Sequence, residues 1–93
     1  MPSNSLYLGL DFGTSGARAM LIDDQCQLVV QTHCIYDIAD WHSWLRALHW
    51  LCASLPPPLR QRIASIAIDA TSSSVLLCDA CNAPLTSPLL YSD

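Results

Sequence analysis

The chain has 93 residues, 52% hydrophobic and 13% charged, with six prolines and three glycines, which is the composition of an ordinary soluble globular fold of one domain at most. Its charges are eight aspartates and four arginines, with no lysine or glutamate, for a net charge of -4; the arginines stand apart at positions 18, 46, 60 and 62, so the clustered cations of a nucleic-acid groove are missing and no nucleic-acid partner is expected. No apolar run approaches the roughly 18 to 20 residues that cross a bilayer and no basic segment introduces one, so no membrane partner is expected and the location is read as cytoplasmic.

The first predicted element is a strand-turn-strand unit, LYLGLDFGTSGARAMLI, from Leu6 to Ile22. Leu6, Leu8 and Leu10 lead to Asp11, so a buried strand delivers a carboxylate to its carboxyl end, where the chain reverses. Gly13 and Gly16 are expected to allow a tight reversal through backbone freedom. Between them, the hydroxyls and backbone N–H groups of Thr14 and Ser15 can converge on a phosphate, and Arg18 opens the return strand with a fixed positive charge. A carboxylate beside a phosphate is repulsive unless a divalent cation lies between them, so Asp11 points to magnesium, held directly or through water, together with a nucleotide.

Asp23, Asp24 and Gln25 form a polar turn, and Leu28 to Ile35 reads as a third strand, giving an antiparallel meander. His33 within it is given no role. Asp40 is a good N-cap for a helix whose apolar positions Trp41, Trp44, Leu45, Leu48, Leu51, Cys52 and Leu55 recur at helical spacing. Its three tryptophans are read as packing on the sheet. Pro56, Pro57 and Pro58 end that helix. Leu59 to Ala64 is expected to add a turn or two before Ser65 to Asp69 returns as a buried strand.

After that strand comes ATSSS, Ala70 to Ser74, a run of small hydroxyl side chains at a strand's carboxyl end, where α/β folds place ligands. Such hydroxyls both donate to and accept from a polyol, although an ordinary Ser/Thr turn has the same composition. Val75 to Cys78 and Pro84 to Tyr91 are predicted to flank a turn as a hairpin. Cys26, Cys34, Cys52, Cys78 and Cys81 are an odd set without a secretion signal, so they are read mostly as small buried hydrophobes rather than a disulfide framework. Cys78 and Cys81 form a C-x-x-C with no partner motif for zinc.

Two segments carry a resemblance. LDFGTSGARAMLID is similar to the first phosphate motif, D-x-G-T-[ST]-x-x-[RK], of the FGGY carbohydrate kinases in the actin-like ATPase superfamily. IAIDATSSSVLLCDACNAPLTSPLLYSD resembles that family's run of strand, sugar-contacting turn, hairpin and W/Y-x-D ending. The resemblance implies an α/β, ribonuclease-H-like domain, incomplete here, with the order βββαβ followed by a β-hairpin; residues 1–93 then correspond to the N-terminal part of the first kinase domain, with the second domain absent. It implies ATP and Mg2+ as cofactors and a ketose or polyol as substrate, a pentulose such as D-ribulose or D-xylulose being favoured. Asp11 would position hydrated magnesium; Gly13, Thr14, Ser15, Gly16 and Arg18 would hold the phosphates; Ser72, Ser73 and Asp93 would contact the sugar. Ser72 and Ser73 stand where xylulokinases carry a Met-His pair, a departure that resembles the D-ribulose or xylulose kinase-like members of cyanobacteria and plants. The family's general base is a later aspartate that none of these residues matches. A non-sugar actin-like ATPase and a non-catalytic remnant of the fold are the alternative readings.

Overall fold

A computed structural model describes residues 4–70 and 76–90. Strands β1 (Leu6–Phe12), β2 (Ala17–Ile22) and β3 (Leu28–Cys34) are followed by helices α1 (Trp41–Ser54) and α2 (Pro57–Arg60) and by strand β4 (Ile63–Ala70). β1 pairs antiparallel with β2, and β2 with β3, which is the predicted meander. β4 lies parallel to β1 on its other side, giving one mixed sheet of order β3-β2-β1-β4. A parallel neighbour needs a crossover, and α1 with α2 supplies it. Among the described residues no helix is long and apolar enough to cross a membrane.

Alternation decides which face is the core. Leu6, Leu8 and Leu10 of β1 and Ala17, Ala19 and Leu21 of β2 project to one side and are buried there. α1 lies over β2 and β3 on that side, burying Ser43, Ala47 and Leu51, with Leu55 just beyond its end. Burying each such leucine contributes about 1.5 to 3 kcal/mol. The alanines at the contact let helix and sheet approach closely.

The helix begins as predicted: the Asp40 side chain accepts from the His42 N–H at 3.0 Å. The link before it is pinned as well. Ser43 Oγ accepts from the Asp37 N–H at 2.7 Å, and the Trp44 indole N–H donates to the Ile38 carbonyl at 2.9 Å. In the turn between β2 and β3, Asp23 accepts from the N–H groups of Gln25 and Gln27, both at 2.9 Å, and Cys26 takes a positive φ of 62°.

The structure departs from the sequence reading at several points. The buried stripe of α1 runs through Ser43, Ala47 and Leu51, so Leu45 and Trp50 of the expected apolar and boundary positions are about half exposed. Trp41 and Trp44 are half-buried and, with Phe12 and Ala70 of the sheet, line an open apolar cavity of about 400 Å³. The prolines end α1 and also start α2, because Pro57 and Pro58 occupy first-turn positions whose N–H groups have no intrahelical partner; the order is thus βββααβ. β4 is exposed except for half-buried Ile63, because it sits at the sheet margin while α1 covers β2 and β3. Of the predicted C-terminal hairpin, whose ends at Val75 and Tyr91 lie outside the described residues, the structure shows a Cys78–Pro84 bridge, a Leu85 N–H bond to the Leu77 carbonyl at 2.8 Å, and a turn in which Asp79 accepts from the Cys81 and Ala83 N–H groups. None of the five free cysteines is fully buried: Cys34 and Cys52 are half-buried, and Cys26, Cys78 and Cys81 are exposed.

Candidate functional site

The loop between β1 and β2 closes through the Gly13 N–H, which donates to the Gly16 carbonyl at 2.9 Å. The reversal is tight, as expected, and neither glycine takes a positive φ in making it. Gly16 is needed for space: a Cβ on it would lie 3.1 Å from the Cys34 carbonyl oxygen of the neighbouring strand. At Gly13 the nearest atom would be 3.4 Å away, an ordinary contact.

Asp11 stands at the penultimate position of β1, on the face away from α1. Across β2 it faces Arg18, and across β4 it faces Asp69, so three strands carry a row of ionisable groups at one end of the sheet. A hydrogen bond to Asp11, then desolvation, then the like charge of Asp11 raise the pKa of the Asp69 carboxyl above its ordinary value.

A cavity of about 280 Å³ opens at this end, and its lining includes Asp11, Gly13, Ser15, Gly16, Arg18 and His33. Five of the six residues that the sequence assigned to magnesium and phosphate are therefore gathered around one space; Thr14 is exposed on the same loop. Ser72, Ser73 and Asp93 lie outside the described residues. Among the described residues no group of three His, Cys, Asp or Glu side chains forms a metal cage, and the C-x-x-C of Cys78 and Cys81 lies in the exposed turn.

Sequence reasoning missed three members of this neighbourhood. His33 joins because β3 pairs with β2 in a register that sets it beside Arg18. Tyr36 reaches back from beyond β3, its hydroxyl donating to the Gly13 carbonyl at 2.6 Å while its ring packs edge-on against Phe12, centroids 5.7 Å apart. Asp69 had a local signal: IAID ends a strand on an aspartate as LGLD does.

With this geometry in hand, the fold can be compared with solved structures. A xyloylose (xylulose) kinase from Brucella ovis superposes with a TM-score of 0.84 and 28% sequence identity over 95% of this chain. The chain has the fold of the FGGY-type carbohydrate kinases. A glycerol kinase from Plasmodium falciparum, solved with ADP, matches all of the chain with a TM-score of 0.77 and 16% identity. A ligand-bound xylulose kinase from Lactobacillus acidophilus matches 96% of it with a TM-score of 0.66 and 16% identity. The chain spans about a fifth of the length of each of these kinases. No protein-family profile matches it.

Proposed function

We propose that the protein takes part in transfer of the ATP γ-phosphoryl group to a hydroxyl of a ketose or polyol, with a pentulose such as D-ribulose or D-xylulose favoured. The observation that carries this reading is the cavity that gathers Asp11, the glycine loop and Arg18 at one end of a sheet shared with sugar and polyol kinases. The sheet order β3-β2-β1-β4 also supports the ribonuclease-H-like assignment.

Each residue has a physical role in such chemistry, which depends mainly on positioning and charge neutralisation. The donor set suits a hydrated divalent ion. Asp11 and Asp69 place two carboxyls side by side, like charges that a cation would neutralise, and magnesium is commonly held by one or two carboxylates while keeping several waters. When bound, that ion supplies charge neutralisation at the phosphates. Gly13, Thr14, Ser15 and Gly16 offer backbone N–H and hydroxyl donors to phosphate oxygens, Arg18 supplies positive charge on the β2 side, and His33 beside it on β3 offers a ring nitrogen for hydrogen bonding. Tyr36 holds the loop by its bond to Gly13. Ser72, Ser73 and Asp93 are assigned to sugar hydroxyls on the resemblance, which assigns the general base to a later aspartate.

The test has two arms. Calorimetric titration of the 93-residue chain with ADP and magnesium examines the phosphate half, and ADP release in the presence of D-ribulose, D-xylulose or glycerol examines the activity of a polypeptide containing this domain. In the second arm, Ser73→Ala should raise the Michaelis constant for sugar about two- to tenfold, the value of one hydrogen bond, and leave that for ATP unchanged. Magnesium-independent nucleotide binding, or ATP consumption indifferent to every sugar, would overturn the proposal in favour of a non-sugar actin-like ATPase.

A further inference from the structure

We infer, on the phosphate role proposed for the loop, that Tyr36 is a positioning residue that aims the Thr14 N–H at the bound phosphate, and that α1 holds Tyr36 in place to do so. The bond that closes the loop, from the Gly13 N–H to the Gly16 carbonyl, fixes the peptide plane before Gly13. The plane after Gly13 is set by rotation about that residue's ψ, which a glycine restrains least of all residues. The Tyr36 hydroxyl supplies the restraint, donating to the Gly13 carbonyl at 2.6 Å. The peptide between Gly13 and Thr14 is trans and planar, so its C=O and N–H point in opposite directions. Turning the carbonyl toward the phenol therefore directs the Thr14 N–H away from it, on a loop whose residues Gly13, Ser15 and Gly16 line the cavity with Asp11 and Arg18. A donor fixed in advance needs no reorganisation when the anion arrives.

Tyr36 is held from two sides. Its ring packs edge-on against Phe12, centroids 5.7 Å apart, and the residues after it are tied to α1. The Asp37 N–H donates to Oγ of buried Ser43 at 2.7 Å, the Asp40 N–H to the Asp37 carbonyl at 3.1 Å, and the Trp44 indole to the Ile38 carbonyl at 2.9 Å. A continuous path of contacts thus runs from Ser43 through Asp37 and Tyr36 to the peptide that carries the Thr14 N–H.

Calorimetry of the 93-residue chain with ADP and magnesium tests this path. Tyr36→Phe, which keeps the ring, should raise the dissociation constant about two- to tenfold, the scale of one hydrogen bond. Ser43→Ala removes the acceptor for the Asp37 N–H; it should weaken binding in the parent and add nothing in Tyr36→Phe, where the path is already cut. Val30→Ala thins the core at the opposite end of β3 and should lower the melting temperature without changing the dissociation constant. In amide NMR spectra, ADP with magnesium should shift the Thr14 resonance in the parent and shift it less in Tyr36→Phe. Equal affinity of Tyr36→Phe and parent, additive losses from Ser43→Ala and Tyr36→Phe, a loss from Val30→Ala as large as that from Tyr36→Phe, or a Thr14 amide that ADP does not move in a parent that binds it would overturn the inference alone. A parent chain that binds no ADP would overturn the phosphate role and this inference with it.

Discussion

Asp11 and Asp69 stand side by side at the carboxyl ends of two parallel strands and share a hydrogen bond. Two carboxyls in contact disfavour double ionisation, and folding has brought them together from opposite ends of the β1–α1–α2–β4 crossover. Such an arrangement gives up stability in return for a place where positive charge is favoured.

Asp11→Asn removes one of those charges and keeps a side chain able to hydrogen-bond Asp69. The melting temperature should therefore hold or rise, while magnesium-dependent ADP binding falls at least about tenfold, the scale of a lost charge-assisted contact. Titration calorimetry beside thermal unfolding checks both; a folded variant that binds as the parent does removes Asp11 from the site.

Tyr36→Phe isolates the hydroxyl that fastens the loop, since the ring contact with Phe12 survives. The loss should be about 0.5 to 1.5 kcal/mol in denaturant unfolding. Amide exchange should accelerate first in the loop between Gly13 and Gly16. Uniform acceleration across the sheet would mean that Tyr36 supports the fold generally and not the loop.

The two loop glycines should differ. Gly16→Ala forces a methyl to 3.1 Å from the Cys34 carbonyl, so β3 must move, at a cost of about 1 to 3 kcal/mol. Gly13→Ala makes only ordinary contact at 3.4 Å and should change stability by less than about 1 kcal/mol. Equal midpoints in urea would show that the β3 backbone yields freely.

Acid should weaken the start of α1. Desolvation pushes the Asp40 pKa up, but its bond from the His42 N–H, then the His42 ring, then Arg46 outweigh this and leave it below the ordinary value. A depressed folded-state pKa contributes stability that is fully present above the unfolded value, about 4, and is lost as pH falls through the folded one. The melting temperature of the parent should thus fall more steeply below pH 4 than that of Asp40→Asn, which caps without titrating. Parallel curves would show that the carboxylate contributes nothing here.

Much of this was legible in the sequence because it is local. The alternation of Leu6, Leu8 and Leu10, the loop from Gly13 to Gly16, the Asp23 turn and the Asp40 cap are each set by residues within a few positions of one another, and the structure has them where the spacing put them. The same stretch marked Asp11 at the end of the first strand and Arg18 at the start of the second; that they face each other is a matter of the register the hairpin adopts.

What tertiary structure alone decided depends on distant segments meeting. Helical period picks out an apolar stripe but not the line of closest approach; the alanines of β2 and the small Ser43 and Ala47 drew α1 over β2 and β3, which turned Leu45 and Trp50 toward water. The resulting position of α1 leaves β4 uncovered, although its composition reads as buried. Tyr36 meets Gly13, and His33 joins the phosphate cavity, only because β3 returns beside β2. Asp69 meets Asp11 because the crossover lays β4 parallel to β1, a pairing that no local spacing encodes and that the packing of the whole connection sets.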